Sequence, residues 1–142
     1  MRQQSSGRFE VALPASTAID LFTPEGERSW VPGWAPTYPD EVASESAGTV
    51  FTTAADGVIT IWTIIEIDRT AGAASYSRVT PVLHAGIVRV WCVDAGSGRC
   101  AVKVAYDMTS LAEDPSVLAE YAAPAFDDMM REWSTAVAAS LA

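Results

Sequence analysis

The chain has little of what usually builds a reactive centre. Two cysteines, Cys92 and Cys100, and one histidine, His84, lack the paired spacings of zinc or redox motifs, so no metal site is expected. No Gly-x-Ser-x-Gly elbow is present, neither cysteine has a context that would activate it, and no glycine-rich loop offers a cradle for phosphate. A nucleotide cofactor is therefore not expected. Basic residues are few: nine against eighteen acidic ones, for a net charge of -9. Such a surface repels phosphate backbones and anionic headgroups, which argues against nucleic acid as a partner. The longest apolar run, Val58 to Ile67, is ten residues and too short to span a bilayer as a helix. Met1 to Phe9 is polar and does not read as a signal peptide, so a soluble cytoplasmic protein is expected.

What is present suits one globular domain over residues 1–142. Hydrophobic residues make up 49% of the chain and charged ones 19%, and a chain of this size buries roughly 68 to 70% of its unfolded surface. The two cysteines read as small buried residues on neighbouring strands.

The last segment, Pro115 to Leu141, is predicted to organise the rest. Phe126, Met129, Met130, Trp133, Val137 and Leu141 recur at helical spacing and form one apolar stripe. Asp114-Pro115 is a helix start signal, and Pro124 is expected to kink or split the helix. The piece from Pro124 onward would span about 27 Å. So long a stripe requires a broad apolar partner.

Before it, Arg8 to Leu13 alternates as a half-buried strand. Pro14 opens a short helix to about Phe22, and Thr23-Pro24 opens a second one through to Trp30. Pro32, Gly33, Pro36 and Pro39 forbid more helix, and this loop carries Trp30, Trp34 and Tyr38. Beyond Asp40 the turn residues divide the chain into six short strands, near 40–46, 49–54, 57–68, 74–81, 86–94 and 99–109, for seven in all. The clearest is the last, where Cys100, Val102, Val104, Tyr106 and Met108 alternate with polar residues. Hairpin pairing then turns Val88, Val90, Cys92, Tyr76, Arg78, Thr80, Trp62, Ile64 and Glu66 inward, and leaves Ile61, Ile65, Ile67 and Trp91 outside as a surface for self-association. A single bulge would reverse a strand.

Strand, two short helices, six antiparallel strands and a long final helix make an α+β domain with the order of the helix-grip fold, a curved sheet around its terminal helix. Across Leu21-Phe22-Thr23-Pro24-Glu25-Gly26-Glu27-Arg28-Ser29-Trp30-Val31-Pro32-Gly33-Trp34, and around Trp62, Tyr76 to Pro81 and Asp107 to Leu111, the chain resembles bacterial members of the START-related superfamily of polyketide cyclases, dehydrases and lipid-transfer proteins. Ala35 departs from relatives that carry an acidic residue there. The resemblance implies a cavity between sheet and helix for a small hydrophobic molecule, walled by Trp62, Glu66, Tyr76, Arg78, Val90, Tyr106, Phe126, Met129, Met130 and Trp133, with Trp30 and Trp34 near its mouth.

Within that wall Glu66 and Arg78 stand on adjacent strands. They read either as an ion pair that tolerates burial or as a proton acceptor beside a binder of carboxylate or enolate oxygen. Tyr76 and Tyr106 would present hydroxyls or simply fill core, and His84, in the turn after Pro81, is a proton carrier or a bystander. Three functions follow: carriage of an aromatic, polyketide-like or lipid molecule; a cofactor-independent cyclase or dehydrase using Glu66, Arg78, Tyr76 and His84; or an interaction domain like the activators of a chaperone ATPase, with the outer strand face also available for a homodimer. A closed pocket of about 300 to 1,000 Å³ would support a ligand. One filled by Trp133, Met129 and Trp62 would favour the interaction reading.

Overall fold

In a computed structural model describing all of residues 1–142, the chain forms one antiparallel sheet of six strands, ordered β1-β6-β5-β4-β3-β2. The strands are β1 (Arg2–Val11), β2 (Val50–Ala55), β3 (Val58–Asp68), β4 (Ala73–Thr80), β5 (His84–Gly96) and β6 (Arg99–Ser110). Helix α1 (Ala15–Ala18) runs into 3-10 turns at Ile19–Phe22 and Gly26–Ser29, and a third 3-10 turn, Pro115–Tyr121, precedes α2 (Ala125–Ser140).

The expected split at Pro124 occurs, with that residue standing at the N-cap of α2. Asp114 caps the preceding turn through Ser116 N at 2.9 Å. Phe126, Met130 and Val137 of the stripe are buried, Met129 and Trp133 are half-buried, and Leu141 is exposed at the end of the helix. The helix lies closest to β1 at Gly7, where a Cβ atom would stand 2.6 Å from Met130 Cγ. No helix is long and apolar enough to cross a membrane.

Three departures from the sequence reading have physical causes. Residues 40–46 form turns and bends, not a strand; Glu41 has φ 61, outside the extended region, and the edge of β2 is met instead by Thr37 pairing with Thr52. Strand β1 begins at Arg2, well before Arg8, because its polar half pairs with β6 from Thr109 to Val104 through backbone bonds and a two-pronged Arg2–Asp107 ion pair. The third departure is in β3. Ile64 opposes Tyr76 but Glu66 opposes Ser75, so Ile65 is an extra residue and the strand reverses its faces there. Glu66 thereby becomes exposed, while Ile67, expected outside, packs against the core. Trp62 and Ile64, ahead of the bulge, point inward as predicted and are buried.

Candidate functional site: an aromatic hollow with two unpaired polar ends

Two groups of rings meet beneath α2. Trp30, Phe22, Trp133, Tyr106, Phe126 and Tyr121 form one, with Trp30 5.3 Å from Trp133 and Tyr106 5.3 Å from Tyr121. Trp34, Tyr38, Phe51, Trp62 and Tyr76 form the other, with Phe51 stacked on Trp62 at 5.7 Å. Between them lies a hollow lined by Phe22, Glu27, Phe51, Trp62, Tyr76, Val88, Val90, Tyr106 and Trp133. Its free volume is about 20 Å³, which is room for about one water molecule and far below the several hundred Å³ of a formed ligand pocket.

The mouth is latched by its own side chains. Trp30 Nε1 donates to Leu21 O at 2.6 Å, Trp34 Nε1 to Pro24 O at 2.7 Å, and Tyr38 Oη to Glu25 Oε2 at 2.6 Å. Arg28 binds Glu25 at 2.9 Å and reaches Pro36 O at 3.2 Å. These bonds hold the aromatic loop against the turns that follow β1. Gly26 makes the tight approach there, since a Cβ atom would stand 1.7 Å from Asp20 O.

Glu27, on the turn Gly26–Ser29, sends its carboxyl into the hollow. It makes no ion pair and no side-chain hydrogen bond within the chain, and burial alone holds its pKa well above the usual carboxylate range. Sequence reasoning missed it by treating Glu25, Glu27 and Arg28 together as one short helix. The signal was there: in a 3-10 turn residues three apart share a face, and Trp30, three residues on, is buried.

A second polar group lies behind the Trp62 and Tyr106 walls and is built around Arg78. Its guanidinium carbon lies 5.2 Å from the centre of the Trp62 ring and 5.6 Å from that of Tyr121, and Nη1 donates to Tyr121 Oη. The expected partner Glu66 is on the opposite face, so the Glu66–Arg78 pair does not form, and Arg78 takes part in no ion pair. Its Nε is buried without a hydrogen-bond partner. His84, expected in a turn, opens β5 and is 4% exposed, edge-on to Tyr121 at 5.4 Å. Burial first, then Arg78, pushes its pKa down, opposed by Glu120, whose carboxylate stands 3.9 Å from Nε2. Its Nδ1 is also buried and unpartnered.

Of the predicted wall, Trp62, Tyr76, Val90, Tyr106 and Trp133 line the hollow, while Trp30 and Trp34 pack on its rings from outside. Phe126 backs Tyr106, and Met130 lies over Gly7, so neither lines the hollow; Met129 packs half-buried against the core. The four proposed catalytic residues do not converge. Glu66 is outside, and the Tyr76 hydroxyl is engaged in donating to Phe22 O at 2.7 Å, its pKa raised by burial. Arg78 and His84 do share one end. Burial also pushes Tyr106 up to about 12 and Cys92 to about 12, so neither is ready to ionise. Both cysteines are free and buried, and no cluster of three or more His, Cys, Asp or Glu side chains is arranged to hold a metal ion.

No protein-family model matches the chain, and no curated protein sequence matches it. Solved structures do. A solution structure from Thermobifida fusca is 19% identical with TM-score 0.75, covering 95% of this chain and 90% of the other. The crystal structure of Ara h 8.0201 is 14% identical with TM-score 0.71, covering 99% of both chains. Norcoclaurine synthase from Thalictrum flavum, in complex with dopamine and hydroxybenzaldehyde, is 13% identical with TM-score 0.66, covering 98% of this chain and 88% of the other. At these identities the likeness is one of architecture, and it agrees with the resemblance read from the sequence: the chain has the helix-grip fold.

Proposed function

We propose that this protein binds a small aromatic or otherwise hydrophobic molecule beneath α2, in a hollow that its own rings close when no ligand is there. The observation that supports this reading is the unpaired carboxyl of Glu27 in a wall otherwise made almost wholly of apolar and aromatic side chains. Glu27 is half-buried, so its carboxyl gives up part of its hydration with no protein group in return, at some cost in stability. A core selected only for stability would hold a leucine there. A ligand hydroxyl, carbonyl or amine beside Glu27 offsets that cost. Norcoclaurine synthase, of the same fold, takes dopamine and hydroxybenzaldehyde, both small and aromatic.

With so small a volume, binding requires the hollow to open around the ligand. Trp133 is half-buried and anchored by ring contacts alone, so it is the side chain whose movement costs least. If the protein is also a catalyst, Glu27 replaces Glu66 as the proton donor or acceptor, because it, and not Glu66, faces the hollow. A second reading, an interaction or self-association domain, is favoured by the tight filling of the hollow and by the exposure of Ile59, Ile61 and Ile65. It leaves Glu27 unexplained.

Native mass spectrometry of protein purified from its own host, with a tryptophan-fluorescence titration using 1-naphthol, tests the proposal. A co-purified molecule or a saturable quench that Glu27→Leu weakens supports it. Bare protein and an unresponsive fluorescence would reject it in favour of the interaction reading.

A further inference from the structure

Behind Trp62 and Tyr106, two of the rings that line the hollow, lies a charge that the fold does not answer. Arg78 projects inward from β4, opposite Trp62 on β3 and Gly86 on β5. Gly86 contributes no side chain. The hydrogen-bonding partner of Arg78 is the neutral hydroxyl of Tyr121, and no carboxylate lies within ion-pair distance. Beside it, diagonal across the β4–β5 ladder, stands His84.

Two buried nitrogens in this one cluster, Arg78 Nε and His84 Nδ1, have no hydrogen-bond partner, and they are the only buried side-chain nitrogens or oxygens of the chain so left. A carboxyl such as Glu27 can escape an unpaired state by taking up a proton, but a guanidinium has no such route. Its cost in a half-apolar site is offset most fully by an anion. The planar fork of a guanidinium fits a carboxylate, whose two oxygens can take bonds in parallel. The guanidinium lies near the rings of Trp62 and Tyr121 and spends Nη1 on Tyr121 Oη, which leaves its Nε–Nη2 side for such bonds.

We propose that Arg78, His84 and Tyr121 form a carboxylate-recognising pole for a ligand whose aromatic body fills the adjoining hollow. This rests on the binding function proposed above and narrows it to aromatic acids. His84 turns its buried Nδ1 toward the same carboxylate as a donor, and Tyr121 Oη accepts from Arg78 Nη1 and holds the guanidinium in place.

The test compares 3-phenylpropionate, 3-phenylpropanol and 3-phenylpropylamine, which share a body and differ in the end group, by calorimetric titration at pH 7. The acid is expected to bind about tenfold or more tighter than the alcohol, the scale of a charge-assisted hydrogen bond. Arg78→Gln should abolish that margin, so that acid and alcohol bind alike within the variant. Should Arg78→Gln fold poorly by circular dichroism, His84→Gln provides the same comparison, with a smaller loss confined to the acid. Equal binding of acid and alcohol overturns the carboxylate pole while leaving the hollow as a hydrophobic site. Tighter binding of the amine overturns it in favour of Glu27 as the dominant pole. Binding of none of the three overturns both readings.

Discussion

The indole of Trp133 meets that of Trp30 edge to face at 5.3 Å, and this contact closes the hollow on the side of α2. Trp133 also lies 6.4 Å from Phe22 and from Tyr106, so it touches three rings around the hollow. Trp133→Ala is expected to cost about 3 kcal/mol, the lower end for removing a core tryptophan, because the residue is half-buried. The same variant should bind 1-naphthol more tightly than the parent, since the closing ring is gone. Chemical denaturation and fluorescence titration measure the two effects. A variant that loses stability without gaining affinity would show that the space refills by collapse.

Glu66 gives the opposite expectation. Because Ile65 is bulged, its side chain is in solvent and has no partner among the ion pairs. Glu66→Gln should change stability by no more than about 0.5 kcal/mol and leave 1-naphthol binding unaltered. Loss of binding in this variant would place Glu66 back inside and remove the bulge.

The architecture was legible because it rests on patterns with long reach. The period-two alternation of β6 and the helical stripe from Phe126 to Val137 specify an inner sheet face and the helix that covers it. Trp62, Tyr76, Val90, Tyr106 and Trp133 followed from them. What failed was local. A bulge is one residue long and leaves no mark in the alternation of Ile64-Ile65-Glu66-Ile67, where apolar residues fall on both faces. The polar half of β1 was missed because backbone bonds make it a strand and Gly7 has no side chain to enter an alternation. Glu27 was hidden by the length of its turn, too short for periodicity to separate inside from outside.

Gly7 sets how closely α2 lies on β1. A methyl group added there would stand 2.6 Å from Met130 Cγ and 3.4 Å from Phe126 Cε1, so helix or side chain must shift. Overpacking of this kind costs about 1–3 kcal/mol. Gly7→Ala should fall in that range, and in a Met130→Ala background the added cost should largely disappear, because the obstructing chain is absent. A double-mutant cycle by urea denaturation reads the coupling. Additive losses would mean that the clash is relieved elsewhere.

Glu27 ties the stability of the fold to pH. In the unfolded chain its carboxyl titrates near about 4.3; in the folded protein burial raises that value well above the usual range. The folded state therefore holds the proton more tightly than the unfolded one. Its contribution is greatest below the unfolded pKa and is lost as pH rises through the folded one. Glu27→Gln removes this linkage. It should be more stable than the parent at pH 7 to 8, because the amide has no charge to desolvate, with the difference closing as pH falls toward about 4.3. If the site binds a ligand through this carboxyl, the stabilised variant should also bind 1-naphthol less well, the usual cost of relieving strain at a functional position. Melting curves from pH 4 to 8, run beside the fluorescence titration, separate the outcomes. Stability gained at high pH with affinity lost would identify a binding carboxyl, whereas a flat difference across the range would mean that Glu27 already finds water.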